Sequence, residues 1–287
     1  MAQKPFFSVV VPTYNRADFL KIAIESVLTQ TFKNYELLIV DDGSIDNTAE
    51  NIKSQVSNSK IQTKIKYFYQ KNRGPAAARN KGIKNSNGEF ICFLDSDDRW
   101  TKDKLNITFD YTKKHPDCKI FHSEEIWYRN GCLLTPRIKH KKPSGNVFTQ
   151  ALKLCCLGIS TAAIHASVFK SLGGFDEYFP ACEDYEFWLR ASLKYQVTLI
   201  PEYLTIKEGG HRDQQSKKYE AMDIFRIQAL KKFLERETLP PEKYNAAYNE
   251  LKLKCLIYIQ GALKRQKPHQ VKKYQEIVNN LNPDGKF

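Results

Sequence analysis

Four short, almost wholly apolar runs constrain the fold of this chain more than any other feature: Ser8-Val9-Val10-Val11-Pro12, Tyr35 to Val40, Lys64 to Tyr69 and Phe90 to Leu94. Runs of this length without polar alternation suit strands buried on both faces, as in a parallel sheet covered by helices. The segments between them carry helical patterns. Ala17 to Gln30 places Phe19, Leu20, Ala23, Ile24, Val27 and Leu28 on one stripe, the spacing of a helix lying on a sheet. Asn47 to Val56 begins after Asp46, a candidate N-cap, and Ala76 to Lys84 follows the start signal Gly74-Pro75. Strand and helix alternating in this way predict an open, mostly parallel α/β sheet wound through right-handed crossovers.

From Lys104 to Leu204 the pattern is less regular. It contains a helix over Lys104 to Lys114, strand-like pieces at Ile120-Phe121-His122 and Glu125 to Tyr128, and a polar basic loop from Lys139 to Ser144. Beyond Gly209-Gly210 the spacing of Leu230, Phe233 and Leu234, and of Leu253, Leu256 and Ile257, is helical, with a break at Pro240-Pro241. The expected organisation is one domain over residues 1–216 and a helical extension over 217–287.

Lys and Arg number 45 against 32 Asp and Glu, a net charge of +13. Such a surplus attracts nucleic acid, an anionic membrane surface or a phosphate-bearing substrate. No zinc finger, RNP-like aromatic motif or arginine arm accompanies it, so nucleic acid is not an expected partner. No stretch approaches the run of about 18 apolar residues that spans a bilayer. Met1-Ala2-Gln3-Lys4-Pro5 runs into a strand with no signal-peptide cleavage site behind it. The expectation is a cytoplasmic protein, with a peripheral place at the inner face of the membrane also open. The cysteine count is odd, 7, with Cys155 and Cys156 adjacent and no Cys-x-x-Cys, which suits reduced thiols better than a disulfide framework.

In an open parallel sheet, ligands bind at the carboxyl ends of strands, and here those ends are polar. Val11 leads into Pro12-Thr13-Tyr14-Asn15-Arg16, Val40 into Asp41-Asp42-Gly43-Ser44, and Leu94 into Asp95-Ser96-Asp97-Asp98. Three carboxylates within four residues repel one another unless positive charge lies between them. Mg²⁺ or Mn²⁺ meets that need with few protein ligands, leaving positions for phosphate oxygens and stabilising a departing diphosphate. Neither Gly-x-Gly-x-x-Gly nor a P-loop motif occurs, so a nucleotide would be held by side chains and a metal.

The segments Val9 to Asn15, Ser26 to Thr31, Glu36 to Ser44, Asn72 to Asn80 and Asp95 to Asp98 together resemble the family 2 glycosyltransferases of the GT-A fold. Gly173-Gly174-Phe175-Asp176-Glu177 and Cys182 to Arg190 extend the resemblance, which covers residues 6 to 216. It implies an inverting, metal-dependent transfer of a sugar from a nucleoside-diphosphate donor, by analogy UDP or dTDP, to a glycan or lipid-linked acceptor. It implies donor contacts from Pro12, Thr13, Tyr14, Asn15, Asp42, Arg79, Asp95 and Ser96, with Tyr14 stacking on the base and Asp95 toward the ribose. Asp97 would ligate Mn²⁺ or Mg²⁺, and His211 would complete the metal site or reach the diphosphate, with Arg212 as a further phosphate contact. Asp184 would be the general base, presented at the start of a helix over Tyr185 to Leu193. Glu183 and Trp188 would touch the acceptor.

Two other readings stand beside this one. A nucleotidyltransferase making the sugar nucleotide would use a similar sheet, but its Gly-rich N-terminal signature is absent. A non-catalytic basic binding module would need neither Asp97 nor Asp184. The helical segment after about Tyr219, outside the resemblance, is a candidate surface for a partner, a membrane face or an acceptor.

Overall fold

The computed structural model describes residues 4–57, 65–135, 140–211 and 218–280. The apolar runs form β1 (Phe7–Thr13), β2 (Tyr35–Asp41), β3 (Ile65–Tyr69) and β4 (Phe90–Phe93). These pair in parallel in the order β3-β2-β1-β4. Helices α1 (Ala17–Leu28), α2 (Thr48–Ser57) and α3 (Pro75–Asn85) connect them. Asp46 accepts the Thr48 N–H at 3.1 Å, the cap expected at the start of α2.

Every residue of β1 and β2 is buried, and alternate side chains serve opposite layers. Val10, Leu38 and Val40 face α3 and a later helix, while Val9, Val11, Leu37 and Ile39 pack with Leu20, Ile24 and Val27 of α1. Burying each such side chain stabilises the fold by about 1.5–3 kcal/mol. Gly82 lets α3 lie close on β1, because a Cβ there would stand 2.2 Å from Cγ1 of Val10.

Past β4 the sheet becomes mixed. The chain continues through β5 (Asp98–Trp100), α4 (Lys104–Lys114), β6 (Ile120–Arg129), β7 (Cys132–Leu134), α5 (Phe148–Lys153), β8 (Ala163–His165), α6 (Ala166–Leu172), α7 (Glu183–Lys194) and β9 (Thr198–Gly209). The full order is β3-β2-β1-β4-β8-β6-β9-β5, with β7 on β6. β8 runs antiparallel to β4, while β6 and β9 pair in parallel across a register shift at Ser123 to Glu125. The two strand-like pieces read after Ile120 are therefore one strand.

The C-terminal helices are α8 (Asp223–Arg236), α9 (Pro241–Lys264) and α10 (Pro268–Asn280). They build a third core with α5 and α7. Leu230 and Phe233 of α8, and Leu251, Cys255 and Tyr258 of α9, cluster with Phe148, Leu152, Tyr185 and Leu189. Lys254 donates to the carbonyl of Lys153 at the end of α5, 2.8 Å away. No helix among the described residues is long and apolar enough to cross a membrane.

Candidate active site

The strand-end loops are stitched together at one edge of the sheet. The Asp42 N–H donates to the Thr13 carbonyl at 2.8 Å. The Asn15 N–H donates to Ser44 Oγ at 2.9 Å, and Asn15 Oδ1 accepts the Ile45 N–H at 2.8 Å. Asn15 holds φ at +50°, a left-handed conformation that Asn tolerates better than most residues. Tyr14 stands out from this turn with 46% of its surface exposed, whereas Thr13 is buried and its Oγ1 has no hydrogen-bond partner among the described residues. Pro12, one residue earlier, lies in the buried end of β1.

Asp42 is buried, and its carboxylate holds the loop ahead of α3. Oδ1 accepts from Gln70 Nε2 at 2.6 Å and from the Arg73 N–H at 3.0 Å, and Oδ2 from the Gly74 N–H at 2.7 Å. The side chain expected to reach a base thus fixes the next loop, leaving at most one lone pair for anything else.

The acidic turn after β4 is divided among three cations. Oδ1 of Asp95 accepts from Arg79 Nη2 at 2.7 Å, and Oδ2 of Asp97 from Arg16 Nη1 at 2.8 Å. Oδ2 of Asp98 lies 3.4 Å from Lys207 Nζ of β9. Ser96 is buried between them. Burial acts to raise the Asp95 carboxyl, but Arg79 and Lys207 outweigh it and hold it below its ordinary value. Asp98 goes the other way. Burial pushes it up to about 7 against the pull of Lys207, and the charges of Asp95 and Asp97 add to the rise.

Arg79, expected at the nucleotide, is 6% exposed, with its Nη2 on Asp95 and its Nη1 donating to Oε1 of Glu183. Glu183, expected at the acceptor, is 5% exposed and its carboxylate is engaged by Arg79. Burial, with Asp184 next to it, raises the Glu183 carboxyl above its ordinary value despite that arginine. Trp188, also expected at the acceptor, lies deeper. Its indole is 1% exposed, packed among Phe187 and the core under α7, because one turn into the helix the chain has already gone beneath the surface.

Asp184 sits in the first turn of α7, where helix N-termini favour carboxylates. It is partly exposed. Oδ1 accepts the Tyr185 N–H at 2.7 Å and Oδ2 accepts the Cys155 thiol at 3.1 Å. The residue before α7, Cys182, holds φ at +62°, which turns the chain sharply into the helix. One guanidinium therefore spans from the acidic turn to the residue beside Asp184.

His211 meets Phe19 edge-on with ring centroids 4.4 Å apart, and the Arg16 guanidinium lies 5.4 Å from the same ring. This brings the end of β9 beside the Arg16–Asp97 pair. Arg212 and Lys139 lie outside the described residues. Trp100 is buried and donates its indole N–H to the Ser160 carbonyl, while Trp127 stands 36% exposed under Lys207.

Among the described residues no three His, Cys, Asp or Glu side chains are gathered as a metal cluster. The donor set still fits Mg²⁺ or Mn²⁺, which takes one or two carboxylates and fills its remaining positions with water and phosphate. Among the described residues only Oδ2 of Asp97 is engaged, and its side chain is 22% exposed. Sequence reasoning missed Arg16, Cys155, Ser160 and Lys207. Arg16 alone carried a signal, as the last residue of the polar run after β1.

A model of glycosyl transferase family 2 matches residues 8–172. An uncharacterized glycosyltransferase of Rickettsia felis is 37% identical over 69% of this chain and 32% of its own length, so the chain spans about a third of that relative. The UDP-Glc:alpha-D-GlcNAc-diphosphoundecaprenol beta-1,3-glucosyltransferase WfaP of Escherichia coli is 33% identical over 71% of this chain and 78% of its own. The mannosyltransferase PcManGT from Pyrobaculum calidifontis, solved in complex with GDP-Man and Mn²⁺, superposes with a TM-score of 0.63 at 17% identity, covering 97% of this chain and 84% of its own. At that identity it speaks for the fold.

Proposed function

Because this chain belongs to the family 2 glycosyltransferases, we propose that it moves a sugar from a nucleoside-diphosphate donor to an acceptor hydroxyl with inversion at the anomeric carbon. The observation that carries the reading is Arg79, whose two Nη atoms join Asp95 on the donor side to Glu183 beside Asp184. Donor and acceptor chemistry then meet across one buried side chain.

Pro12, Thr13, Tyr14 and Asn15 form the wall for the base. Tyr14 offers an exposed ring to stack, and the unpartnered Thr13 Oγ1 a hydrogen bond. Asp42 shapes that wall by holding the loop to Gly74 and can spare one lone pair for the base. Asp95 and Ser96 lie on the ribose side. Asp97 would hold Mn²⁺ or Mg²⁺, with His211 near it; when bound, the ion would neutralise charge growing on the diphosphate. Arg16 puts a second positive group at the same place.

Asp184 takes the proton of the acceptor hydroxyl as that oxygen attacks the anomeric carbon. The bond from that carbon to the donor phosphate breaks on the opposite side, and the nucleoside diphosphate leaves. The Cys155 thiol and the Tyr185 N–H orient the carboxylate without neutralising it. The name of WfaP supports a UDP-sugar donor and a lipid-linked glycan acceptor, as in surface polysaccharide synthesis; a dTDP-sugar, and a place at the cytoplasmic face of the membrane, rest on the family resemblance alone.

The test offers the purified protein UDP-, dTDP- and GDP-sugars with Mn²⁺ and follows nucleoside diphosphate release. Turnover of one donor that disappears in Asp97→Ala supports the reading. If no donor is bound or turned over, and Asp97→Ala leaves binding unchanged, the reading fails.

A further inference from the structure

We infer that the outer face of α9 is a docking surface for an anionic lipid bilayer. The inner face of this helix is accounted for by Ala247, Leu251, Cys255, Tyr258 and Ala262 in the third core. The outer face is not polar, as a solvated helix would be. Leu253, Leu256, Ile257 and Leu263 are 49%, 43%, 51% and 59% exposed, at helical spacing along one side. Four large aliphatics on one exposed stripe differ from the scattered single apolar residues of an ordinary surface.

Charge selects the occupant. Every charged residue from Leu251 to Gln275 is Lys or Arg. Glu220 takes Arg265 and Lys267, and Glu250 takes Lys254. Lys252 and Lys264 border the stripe, and Lys272 and Lys273 follow on the exposed side of α10. An aliphatic stripe edged by lysines, on a chain of net charge +13, complements a surface that is apolar below and negative above. Lysine stems lie along the apolar zone while their ammonium groups reach the headgroups. α9 does not meet the criteria for a spanning helix, so it would lie in the plane of the interface.

The geometry also gives the contact a use. Lys254, on the buried side of α9, holds the carbonyl of Lys153, two residues before the cysteine that hydrogen-bonds Asp184. A bilayer under α9 would thus be fixed relative to the acceptor side of the site. The lipid contact itself does not depend on the proposed sugar transfer.

The test is co-sedimentation with vesicles of phosphatidylcholine alone or of equal parts phosphatidylcholine and phosphatidylglycerol, without any sugar. The full chain is expected to pellet with the anionic vesicles. Leu256→Glu with Ile257→Glu should lower the bound fraction about tenfold while donor hydrolysis and melting temperature stay at wild-type values. Lys252→Ser with Lys264→Ser should weaken binding to anionic vesicles and leave neutral ones unaffected. The inference is overturned if the wild type stays in the supernatant, or if the double Glu variant pellets like the wild type. It is also overturned if light scattering shows a dimer that the Glu variant dissolves while lipid is ignored, because the face would then belong to a second copy.

Discussion

Nη1 of Arg16 donates to Oδ2 of Asp97 across 2.8 Å, so the carboxylate best placed for a divalent cation already has a positive partner. A cation arriving there works against the charge of the guanidinium. We expect Arg16→Gln to bind Mn²⁺ about fivefold more tightly, the order of about 1 kcal/mol for a partly exposed pair. Calorimetry with Mn²⁺ and no nucleotide reads this directly, and a lower affinity would mean that Arg16 supports the ion instead.

Asp184→Asn keeps the shape of the α7 start and removes the proposed proton acceptor. The donor Kd should stay within about threefold of wild type while kcat for transfer falls about 10³-fold, within the usual span for a lost general base. Cys155→Ala should cost far less, because it only frees Oδ2 to rotate. Lost donor affinity in the Asn variant would contradict the assignment.

The Arg79 guanidinium is buried between two carboxylates. Arg79→Met leaves Glu183 without its counter-charge and Asp95 with only the more distant pull of Lys207, and should destabilise the fold by about 3–5 kcal/mol. Arg73, whose pair with Glu177 is exposed, provides the control: Arg73→Met should change stability by at most about 1 kcal/mol. Urea denaturation of both variants checks the contrast, and equal losses would show that the Arg79 bridge is not stabilising.

Glu36 is buried between the strands, accepting from Ser8 Oγ at 2.6 Å, Lys66 Nζ at 2.7 Å and the Asn87 N–H at 2.6 Å. Burial acts to raise its carboxyl, but the bonds from Lys66, Ser8 and Asn87 prevail and hold it below its ordinary 4.5. A carboxyl lowered on folding adds stability above its unfolded value and loses it as pH falls through the folded one. Glu36→Gln should therefore be less stable than wild type at neutral pH by about 2 kcal/mol, with the gap closing below pH 4.5. Melting temperatures across that range test the sign, and a gap that widens in acid would refute it.

Much of the first half of the fold was legible because its signals are local. The helix expected over Lys104 to Lys114 occupies those bounds, and the apolar runs became β1 to β4 within one residue at most described ends. Long-range pairings were not legible. Glu183 and Arg79 lie 104 residues apart, and nothing in the Glu-Asp sequence says which carboxylate turns inward to an arginine and which stays at the rim. The depth of Trp188 was not legible for a related reason, since an aromatic residue one turn after a Glu-Asp pair reads as a platform until the depth of the helix is known. The second half of the sheet was hard to read because β9 mixes Glu202, Lys207 and Glu208 into its length. The second break in the C-terminal helices, ahead of Pro268, gave less warning than Pro240-Pro241 did.

The core that α8, α9 and α10 share with α5 and α7 also bears on how such a chain can be diversified. Recombination preserves function when its crossover falls between cores. A junction near residue 216 would divide this one, stripping cover from Tyr185 and Leu189 on the helix that bears Asp184. The C-terminal helices are therefore no free-standing module: exchanging them alone would require the facing sides of α5 and α7 to change with them.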